Sequence, residues 1–280
     1  MIEFHADDYG MFPAQSKRII DCIDNGAINS VSVMPNSPYL DECMNMLKGK
    51  KVLITVHLNL VQGKPLTDCK LLAPNGEFDI SFGKLLVISY LPFLRKKYRE
   101  EIKKEYIAQI RSVQKYLDNQ HFRLDSHWHY HMLPIAFDAM MDAVKETKID
   151  VEYIRLPADR ISFFFKGKNR ERIIPINIVK VLILNTFRLR ARRKYGKYLN
   201  NLEKKDFFGV MYSGNMNKIN TRFILENILP GKDYEILFHP GSVLEENDIA
   251  NLTNPGDKEF LTSPKRKAEA DATTSVCLEF

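Results

Sequence analysis

The chain has 280 residues, of which 45% are hydrophobic and 27% are charged, and its formal net charge at pH 7 is +6. These values are ordinary for a globular protein, and they exclude a collagen-like chain, a coiled coil and wholesale disorder. A chain of this length is typical of one large or two modest domains, and it buries enough surface to fold without a disulfide or a structural metal.

Short apolar runs alternate with segments of helical periodicity along the chain, and about seven such repeats predict a parallel sheet, either open or closed into a barrel. Because several runs are continuously apolar, we expect strands that are covered on both faces. Chemistry in such folds gathers at the carboxyl ends of the strands. The predicted strands are Met1–His5, Ser30–Met34, Val52–Val56, Phe122–Leu124, Tyr153–Ile154, Phe207–Tyr212 and Tyr234–Phe238, and the predicted helices are Pro13–Asn25, Tyr39–Lys48, Tyr98–Asn119, Pro134–Lys148, Asn220–Ile228 and Phe260–Glu269.

The segment 160–200 interrupts this alternation. It combines three consecutive phenylalanines, an apolar run and a group of Arg and Lys residues between Arg188 and Lys197. We expect an insertion between two strands that is helical in its second half. Mixed apolar and cationic side chains are typical of elements on anionic membrane surfaces, but a helical pair that covers the barrel or a dimer contact would have the same composition. A nucleic-acid partner is not expected, because bulky aliphatic residues interrupt the positive charge and no binding motif is recognisable.

Four scattered cysteines without a CxxC pair do not indicate the disulfide framework of a small secreted protein. The chain reaches Asp7 and Asp8 at once, which leaves no room for the apolar core of a signal peptide. The longest apolar stretch, Ile173 to Phe187, is broken by polar residues and falls short of the ~20 residues that span a bilayer. We therefore expect a cytoplasmic protein.

Ionisable residues follow three of the predicted strands. Asp7 and Asp8 close the first strand, where the chain turns, so that one carboxylate can hold a metal while the other takes a proton; a turn or helix-cap pair is the alternative. His57 closes the third strand, and an isolated histidine there is more often structural than a ligand. His239, before Pro240-Gly241, is either a general acid or base or part of a turn.

The segment Asp125-Ser126-His127-Trp128-His129-Tyr130-His131 is the most informative. On a strand, the spacing of its three histidines would place them on one face, and neutral imidazole is the commonest metal ligand. A histidine-rich surface loop is the alternative. Asp125 could orient an imidazole, whereas Arg155 could bind an anion, orient a carboxylate or stay solvated. Together these residues predict a catalytic metal site with three protein ligands and an open position, suited to Zn²⁺ or another divalent ion.

These motifs resemble those of the YdjC-type carbohydrate deacetylases, a family distantly similar to the NodB-type polysaccharide deacetylases. The resemblance extends from residue 1 to about residue 272 and is weakest over 160–200. Two positions differ, since His5 and Tyr9 stand where the family usually has Asn and Phe. The matching segments are Ala6-Asp7-Asp8-Tyr9-Gly10, Val33-Met34-Pro35-Asn36, His57-Leu58-Asn59-Leu60 with Gly63-Lys64-Pro65-Leu66, the HxHxH segment from Leu124 to Pro134, and Phe238-His239-Pro240-Gly241.

The resemblance implies an α/β protein in which residues 1–280 form one domain, a distorted TIM-like barrel of about seven parallel strands with 160–200 as an insertion. It implies a hydrolase that removes an acetyl group from an N-acetylated amino sugar, either an oligosaccharide or a glycolipid. The expected partners are that sugar and, through 160–200, a membrane surface or a second copy of the chain. Such a protein would be cytoplasmic or peripheral at the inner face of the membrane.

The resemblance also implies a role for each candidate residue. Asp8, His57 and His127 would hold Mg²⁺ or Zn²⁺, and Asp7 would take the proton as metal-activated water attacks the acetyl carbonyl. His239 would donate a proton to the departing amine. An Asp/His/His iron oxygenase and a non-catalytic sugar- or membrane-binding barrel are the alternatives. The residues expected to contact substrate or support the ligands are Asn59, Asp125, His129, His131 and Arg155.

Overall fold

The computed structural model describes residues 1–117, 121–165, 173–242, 245–252 and 254–280. Strands and helices alternate along these residues, and two 3₁₀ segments, His127–Met132 and Val276–Glu279, complete the regular structure. In chain order the elements are β1 (Ile2–Tyr9), α1 (Pro13–Asp24), β2 (Ser30–Val33), α2 (Leu40–Leu47), β3 (Leu53–Leu58), α3 (Phe82–Ile88), α4 (Pro92–Gln114), β4 (Phe122–Ser126), α5 (Pro134–Thr147), β5 (Val151–Ile154), α6 (Ile161–Phe164), α7 (Pro175–Leu199), β6 (Asp206–Phe208), α8 (Lys218–Asn227), β7 (Tyr234–Phe238), α9 (Glu246–Ala250), α10 (Pro255–Leu261) and α11 (Lys265–Thr273).

The seven strands form one parallel sheet in the order β5-β4-β3-β2-β1-β7-β6. The sheet curls into an incomplete barrel with β5 and β6 at its edges. Arg155, directly after β5, contacts Asp7 on β1 at 2.9 Å and Glu235 on β7 at 2.5 Å, and these contacts cross the interior because the sheet is curled. The predicted α/β fold, a TIM-like barrel of seven parallel strands, is confirmed.

Polar side chains fill the interior of this barrel. Glu3, His5 and Asp7 alternate along β1 and are all buried, and strand alternation directs such residues to one face of the sheet. Arg123 on β4 donates to both carboxylate oxygens of Glu3 at 2.8 Å. The strands are covered on both faces, as expected, but the inner face carries charged side chains as well as apolar ones. Burial of these charges is tolerated because each is paired and hydrogen-bonded.

Several predicted element boundaries differ from the observed ones, among them those of β6, of α4 and of the helix predicted at Phe260–Glu269. β6 ends at Phe208 because the next backbone N–H groups turn to Asp159: Gly209 N–H donates to its Oδ1 at 3.0 Å, and Met211 N–H donates to its Oδ2. The long helix α4 begins earlier than predicted, at Pro92, and its predicted end at Asn119 lies outside the described residues. The predicted helix Phe260–Glu269 is divided between α10 and α11 before Pro264, which cannot continue a helix.

The insertion is helical in its second half, as expected, although residues 166–172 lie outside the described chain. The long helix α7 has one kink, at Tyr195, where φ is −117°. On α7, Arg190 and Lys194 donate to the buried carboxylate of Asp138 on α5 at 2.9 and 2.8 Å, and these bonds fix α7 against the barrel helices. Across the parts of the chain that are described, no helix has the combined length and hydrophobicity needed to cross a membrane.

Candidate active site

A bulge at the end of β1 brings two adjacent carboxylates to one place. The pairing with β2 shifts register between Ala6 and Tyr9, and Asp8 lies in the left-handed region with φ of 67°. Gln15 on α1 donates to the backbone oxygen of Asp8 at 2.9 Å and holds this turn. This conformation is strained for a residue other than glycine, so the surrounding structure must offset the strain. Residues held in this way cluster at functional sites.

Asp8, His57 and His127 meet at the carboxyl ends of β1, β3 and β4. Their potential ligand atoms all lie within 4.8 Å of one another, and all three residues are buried. Oδ1 of Asp8 is 2.8 Å from Nδ1 of His127 and 3.4 Å from Nε2 of His57. The three predicted metal ligands are therefore close enough to share one ion.

The far side of each imidazole is held by a carboxylate. Nδ1 of His57 is 2.8 Å from Asp125, and Nε2 of His127 is 3.0 Å from both oxygens of Asp257. Nε2 of His57 is buried, and among the described residues it has no hydrogen-bond partner. A carboxylate on the outer nitrogen is the arrangement that metal-binding histidines show, and a buried orphan nitrogen on the inner side fits a cation.

The electrostatics of the cluster also favour a cation. Burial disfavours the charged form of His57, but Asp125 and Asp7 outweigh it and raise its pKa to about 9. Burial also disfavours the charged form of His127, but the charges of Asp257 and Asp8 outweigh it and raise the pKa of His127 well above the usual value. The surrounding carboxylates therefore stabilise positive charge at the centre of the cluster.

Asp7 makes a second set of contacts, although its Oδ2 also lies 4.0 Å from Nε2 of His57. Nη1 of Arg155 donates to both of its oxygens at 2.9 Å, and His5 Nε2 lies 3.3 Å away. Burial alone would raise the pKa of Asp7, but the charge of Arg155 holds it well below the usual value. Arg155 also contacts Asp125 at 2.6 Å, so it is a fully buried residue that orients carboxylates, not a solvated one.

His239 lies on the other side of Asp7, with 4.0 Å between its Nε2 and Oδ2 of Asp7. Its backbone N–H donates to Glu269 at 2.7 Å, Arg266 donates to its carbonyl oxygen at 3.2 Å, and its ring packs edge-on against Phe260. Burial lowers the pKa of His239 in spite of Asp8 and Asp7, so its imidazole is neutral at neutral pH. It must gain a proton before it can act as an acid.

The three histidines of the HxHxH segment have three different environments. β4 ends at Ser126, and the backbone becomes left-handed at Trp128 and His129, so the expected strand with a single histidine face is wrong. His127 joins the ligand cluster. His129 lines the adjacent cavity, packs edge-on against Phe207, and its pKa is lowered well below the usual value by burial and by the charge of Arg155. His131 bonds to Ser126 at 2.6 Å and to the Arg155 carbonyl oxygen at 2.8 Å, away from the cavity.

Asn59 shapes the turn after β3 and does not line the cavity. It accepts a hydrogen bond from Val61 N–H at 2.8 Å and donates to the side chain of Asn36 at 2.8 Å. Its contribution is to position the chain that follows His57.

A cavity of about 410 Å³ opens beside the cluster. Its floor is polar, formed by Asp7, Asp8 and the histidines, whereas most of its walls are apolar. The insertion contributes one wall through Lys180, Ile183 and Leu184 of α7. The other wall residues are Phe82, Trp128, Tyr130, Gly209, Val210, Ser213, Leu237, Gly256 and Phe260.

Sequence reasoning missed three residues that support the site: Asp257, Arg266 and Glu269. Asp257 also accepts a hydrogen bond from Nε1 of Trp128 at 2.8 Å, and the side chain of Asn254 caps the first turn of α10 that carries it. The sequence did contain a signal for the cap, since Asn-Pro at 254–255 is typical of a helix start. It contained none that connected α10 with a histidine on β4.

Comparisons with known proteins identify the family of this chain. The family model of YdjC-like proteins matches residues 1–278. The chain belongs to this family. Two curated relatives, both named carbohydrate deacetylase, are 26% identical over 160 residues (mouse) and 25% identical over 153 residues (Clostridium beijerinckii). These matches cover 55% and 54% of this chain and 50% and 59% of the relatives, so the chain spans only about half the length of the curated proteins.

The fold of this family member matches a solved structure over almost its whole length. That structure, from Enterococcus faecalis V583, is named for cellobiose-phosphate cleavage. The two superimpose with a TM-score of 0.66 at 18% sequence identity, covering 99% of this chain and 92% of the other. At this identity the match supports the fold alone.

Proposed function

We propose that this protein is a metal-dependent carbohydrate N-deacetylase, which hydrolyses the acetamide of an N-acetylated amino sugar. The observation that carries the proposal is the division between two adjacent carboxylates. Asp8 lies nearest to His57 and His127, at 3.4 and 2.8 Å, whereas Asp7 pairs with Arg155 at 2.9 Å and lies 4.0 Å from both His239 and His57. One carboxylate is thus placed to hold a cation and the other to exchange protons, which is the pairing that amide hydrolysis by water needs.

Asp8, His57 and His127 would hold the divalent ion. A cation bound by them would polarise the acetyl carbonyl and lower the pKa of a water, which supplies a nucleophile at neutral pH. Two imidazoles and one carboxylate favour Zn²⁺, while Mg²⁺ prefers an all-oxygen set of ligands. Asp125 and Asp257 would fix the orientation of the two imidazoles.

Asp7 would take the proton of the attacking water. Arg155 keeps this carboxylate ionised and fixes its direction through two contacts at 2.9 Å. His239 is neutral at rest, so it would receive a proton from the side of Asp7 and then donate it to the nitrogen that leaves. Without that proton the nitrogen would leave as a strongly basic anion, so this donation is essential to amide cleavage.

The support for a sugar substrate comes from the family and from the names of the two curated relatives. We propose that residues 1–280 act as one deacetylase-like domain, with 160–200 as an insertion that borders the cavity. His129 is the candidate for a direct substrate contact, because its Nδ1 is buried and lacks a hydrogen-bond partner within the described chain. Separately from the reaction, we propose a cytoplasmic location with a peripheral position at the inner membrane face, and a homodimer.

The test is acetate release from N-acetylglucosamine oligomers and from nucleotide-linked and lipid-linked N-acetyl sugars, with Zn²⁺-loaded, Mg²⁺-loaded and chelator-treated protein. We expect turnover that the chelator abolishes and that proceeds without O₂. Asp7→Asn should lose at least a hundredfold in kcat, because removal of a general base costs about 10²–10⁴, yet it should still bind Zn²⁺. His127→Ala should lose both turnover and Zn²⁺ binding.

Asp68→Asn is the matched control, because the Asp68 side chain is 78% exposed and its one ion pair within the described residues is with Lys70. Unchanged turnover in Asp7→Asn would refute the role of Asp7. Turnover that requires O₂ would favour an iron oxygenase. Metal binding without acetate release from any acetylated sugar would favour a non-catalytic barrel.

A further inference from the structure

One face of α7 exposes large apolar side chains to solvent. Ile176, Val179, Leu182 and Leu189 are between 48% and 64% exposed. At 100° per residue these positions lie within about 140° of the helix circumference. Arg193 continues the same face and is also exposed. The exposed face of α7 therefore changes along the helix from apolar to cationic.

The corner between α3 and α4 exposes a second group of apolar side chains. Phe93 is the most exposed large hydrophobic residue of the described chain, at 88%, and its neighbours Val87, Tyr90, Leu91 and Leu94 are 43–66% exposed. Isolated apolar residues on a surface are ordinary, but five exposed ones within eight consecutive residues indicate an interaction site. We call the exposed apolar residues of this corner and of α7 the apolar surface.

Two contacts connect the corner with α7. The ring of Phe82, at the start of α3, lies 6.4 Å from that of Phe187 on α7. Arg95 on α4 and Arg190 on α7 both donate to Asp138. The two groups of apolar residues therefore belong to neighbouring elements on one side of the barrel.

The groove between these elements is positively charged. It has a volume of about 1010 Å³ and is lined by seven Lys or Arg side chains and three acidic ones. Five of the seven cations are paired with carboxylates, three of them with Asp138, and among the described residues Lys96 and Lys145 have no ion pair. Apolar side chains flanked by excess cations complement the headgroups and acyl chains of an anionic lipid surface.

The apolar surface borders the active-site cavity. Ile183 and Leu184 of α7 form part of the cavity wall, while Leu182 next to them is 53% exposed to solvent. Phe82 lines the same cavity at the start of α3. If the polar end of a bound molecule reached Asp7 and Asp8, its other end would extend out of the cavity between apolar side chains and next to the apolar surface.

We propose that the apolar surface docks this protein onto an anionic lipid membrane, and that the acetylated sugar it takes is carried on a lipid that stays in that membrane. The second part rests on the proposed deacetylase function. The first part does not, because it depends only on the surface of α7 and of the α3–α4 corner.

Vesicle sedimentation with the full chain tests the docking. We expect binding to vesicles of phosphatidylglycerol and phosphatidylcholine in equal parts, and much weaker binding to phosphatidylcholine alone. The double variant Phe93→Ser, Leu189→Ser should bind at least tenfold more weakly, because each side chain loses apolar burial in the bilayer. Arg193→Gln should weaken binding about fivefold, and this effect should disappear in high salt.

The matched control is Ile219→Ser, Leu278→Ser, since these side chains are 56% and 57% exposed on other elements. It should bind like the wild type. Equal binding by both double variants, or no binding of the wild type to anionic vesicles, would overturn the proposal. So would a wild-type dimer in light scattering that the Phe93→Ser, Leu189→Ser variant converts to monomers, because the surface would then serve self-association.

Activity assays separate this inference from the proposed function. The Phe93→Ser, Leu189→Ser variant should release acetate from a water-soluble N-acetylglucosamine oligomer at the wild-type rate, and at least tenfold more slowly from a lipid-linked N-acetyl sugar in anionic vesicles. Vesicle binding without acetate release from either substrate would refute the deacetylase proposal and leave the docking intact. Equal rates of the variant and the wild type on the vesicle substrate would refute the lipid-carried substrate.

Discussion

Asp257→Asn is the most informative substitution in this protein, because it changes one charge and almost no volume. The carboxylate of Asp257 accepts from His127 Nε2 at 3.0 Å and from Trp128 Nε1 at 2.8 Å. An asparagine offers one acceptor oxygen, and its NH₂ group would face an N–H group. The substitution therefore removes a hydrogen bond to a charged group. We expect this loss to reduce the free energy that holds the His127 imidazole in its orientation by about 1.5–3 kcal/mol.

That cost corresponds to Zn²⁺ binding that is about 10–100-fold weaker, which is the usual effect of removing a carboxylate that holds a metal-binding histidine. Zn²⁺ affinity can be measured by competition with a chromophoric chelator, with Asp68→Asn as the exposed control. The free energy of unfolding of the metal-free protein should be measured in parallel. Zn²⁺ affinity within twofold of the wild type, in a variant that remains folded, would refute a positioning role for Asp257.

Three further outcomes can be checked. Gly256→Ala would place a methyl group 2.4 Å from the ring of Trp128, so we expect a lower kcat/KM and altered tryptophan fluorescence, and wild-type fluorescence would contradict this. Arg155→Leu should lower the free energy of unfolding by about 3–5 kcal/mol in urea titrations, because it leaves buried carboxylates unpaired. A loss below about 1 kcal/mol would contradict this, since it would show that the carboxylates move to other partners. Burial raises the pKa of Asp159 to about 7 in spite of its backbone hydrogen bonds, so the native state keeps a proton that the unfolded state has lost. From pH 5.5 to pH 8 the wild type should therefore lose about 2 kcal/mol of stability relative to Asp159→Asn, which does not titrate, whereas a constant difference between the two would refute the shift.

The sequence was sufficient to predict the fold because the alternation of strands and helices is regular. It also predicted that one of the two aspartates, His57 and a histidine of the HxHxH segment lie close together, since the carboxyl ends of parallel strands meet at one edge. The choice of Asp8, His57 and His127 came from the family resemblance. Asp7 and Asp8 come to one place because of a bulge and a left-handed backbone at Asp8. Strand periodicity is compatible with such a bulge but does not predict where it occurs.

The polar interior was overlooked although its pattern is present in the sequence. Glu3, His5 and Asp7 alternate with apolar residues, and Arg123 and Asp125 do the same on β4. Such alternation normally indicates a strand with one face in water. Here the second face is turned into a narrow barrel, where opposite charges satisfy one another, and that pairing is visible only once the sheet is curled.

The supporting residues that sequence reasoning missed lie far along the chain from the histidines that they contact. Asp257 and His127 are 130 positions apart, and α10 reaches the histidine by packing that no local pattern encodes. The same holds for Glu269, which accepts the backbone N–H of His239 from α11. Helical periodicity predicted that residues near Glu269 form a helix, but it could not predict which strand end the helix would meet.

The unclosed side of the barrel has a consequence for how this protein can diversify. β5 pairs with β4 and β6 pairs with β7, and Glu203 N–H, three residues before β6, donates to Glu152 O on β5 at 2.8 Å. The connection between β5 and β6 can therefore lengthen or shorten without breaking a ladder. Because α7 lies in that connection and forms a cavity wall, new specificities can arise at this seam while the proposed ion ligands, on β1, on β3 and directly after β4, stay as they are.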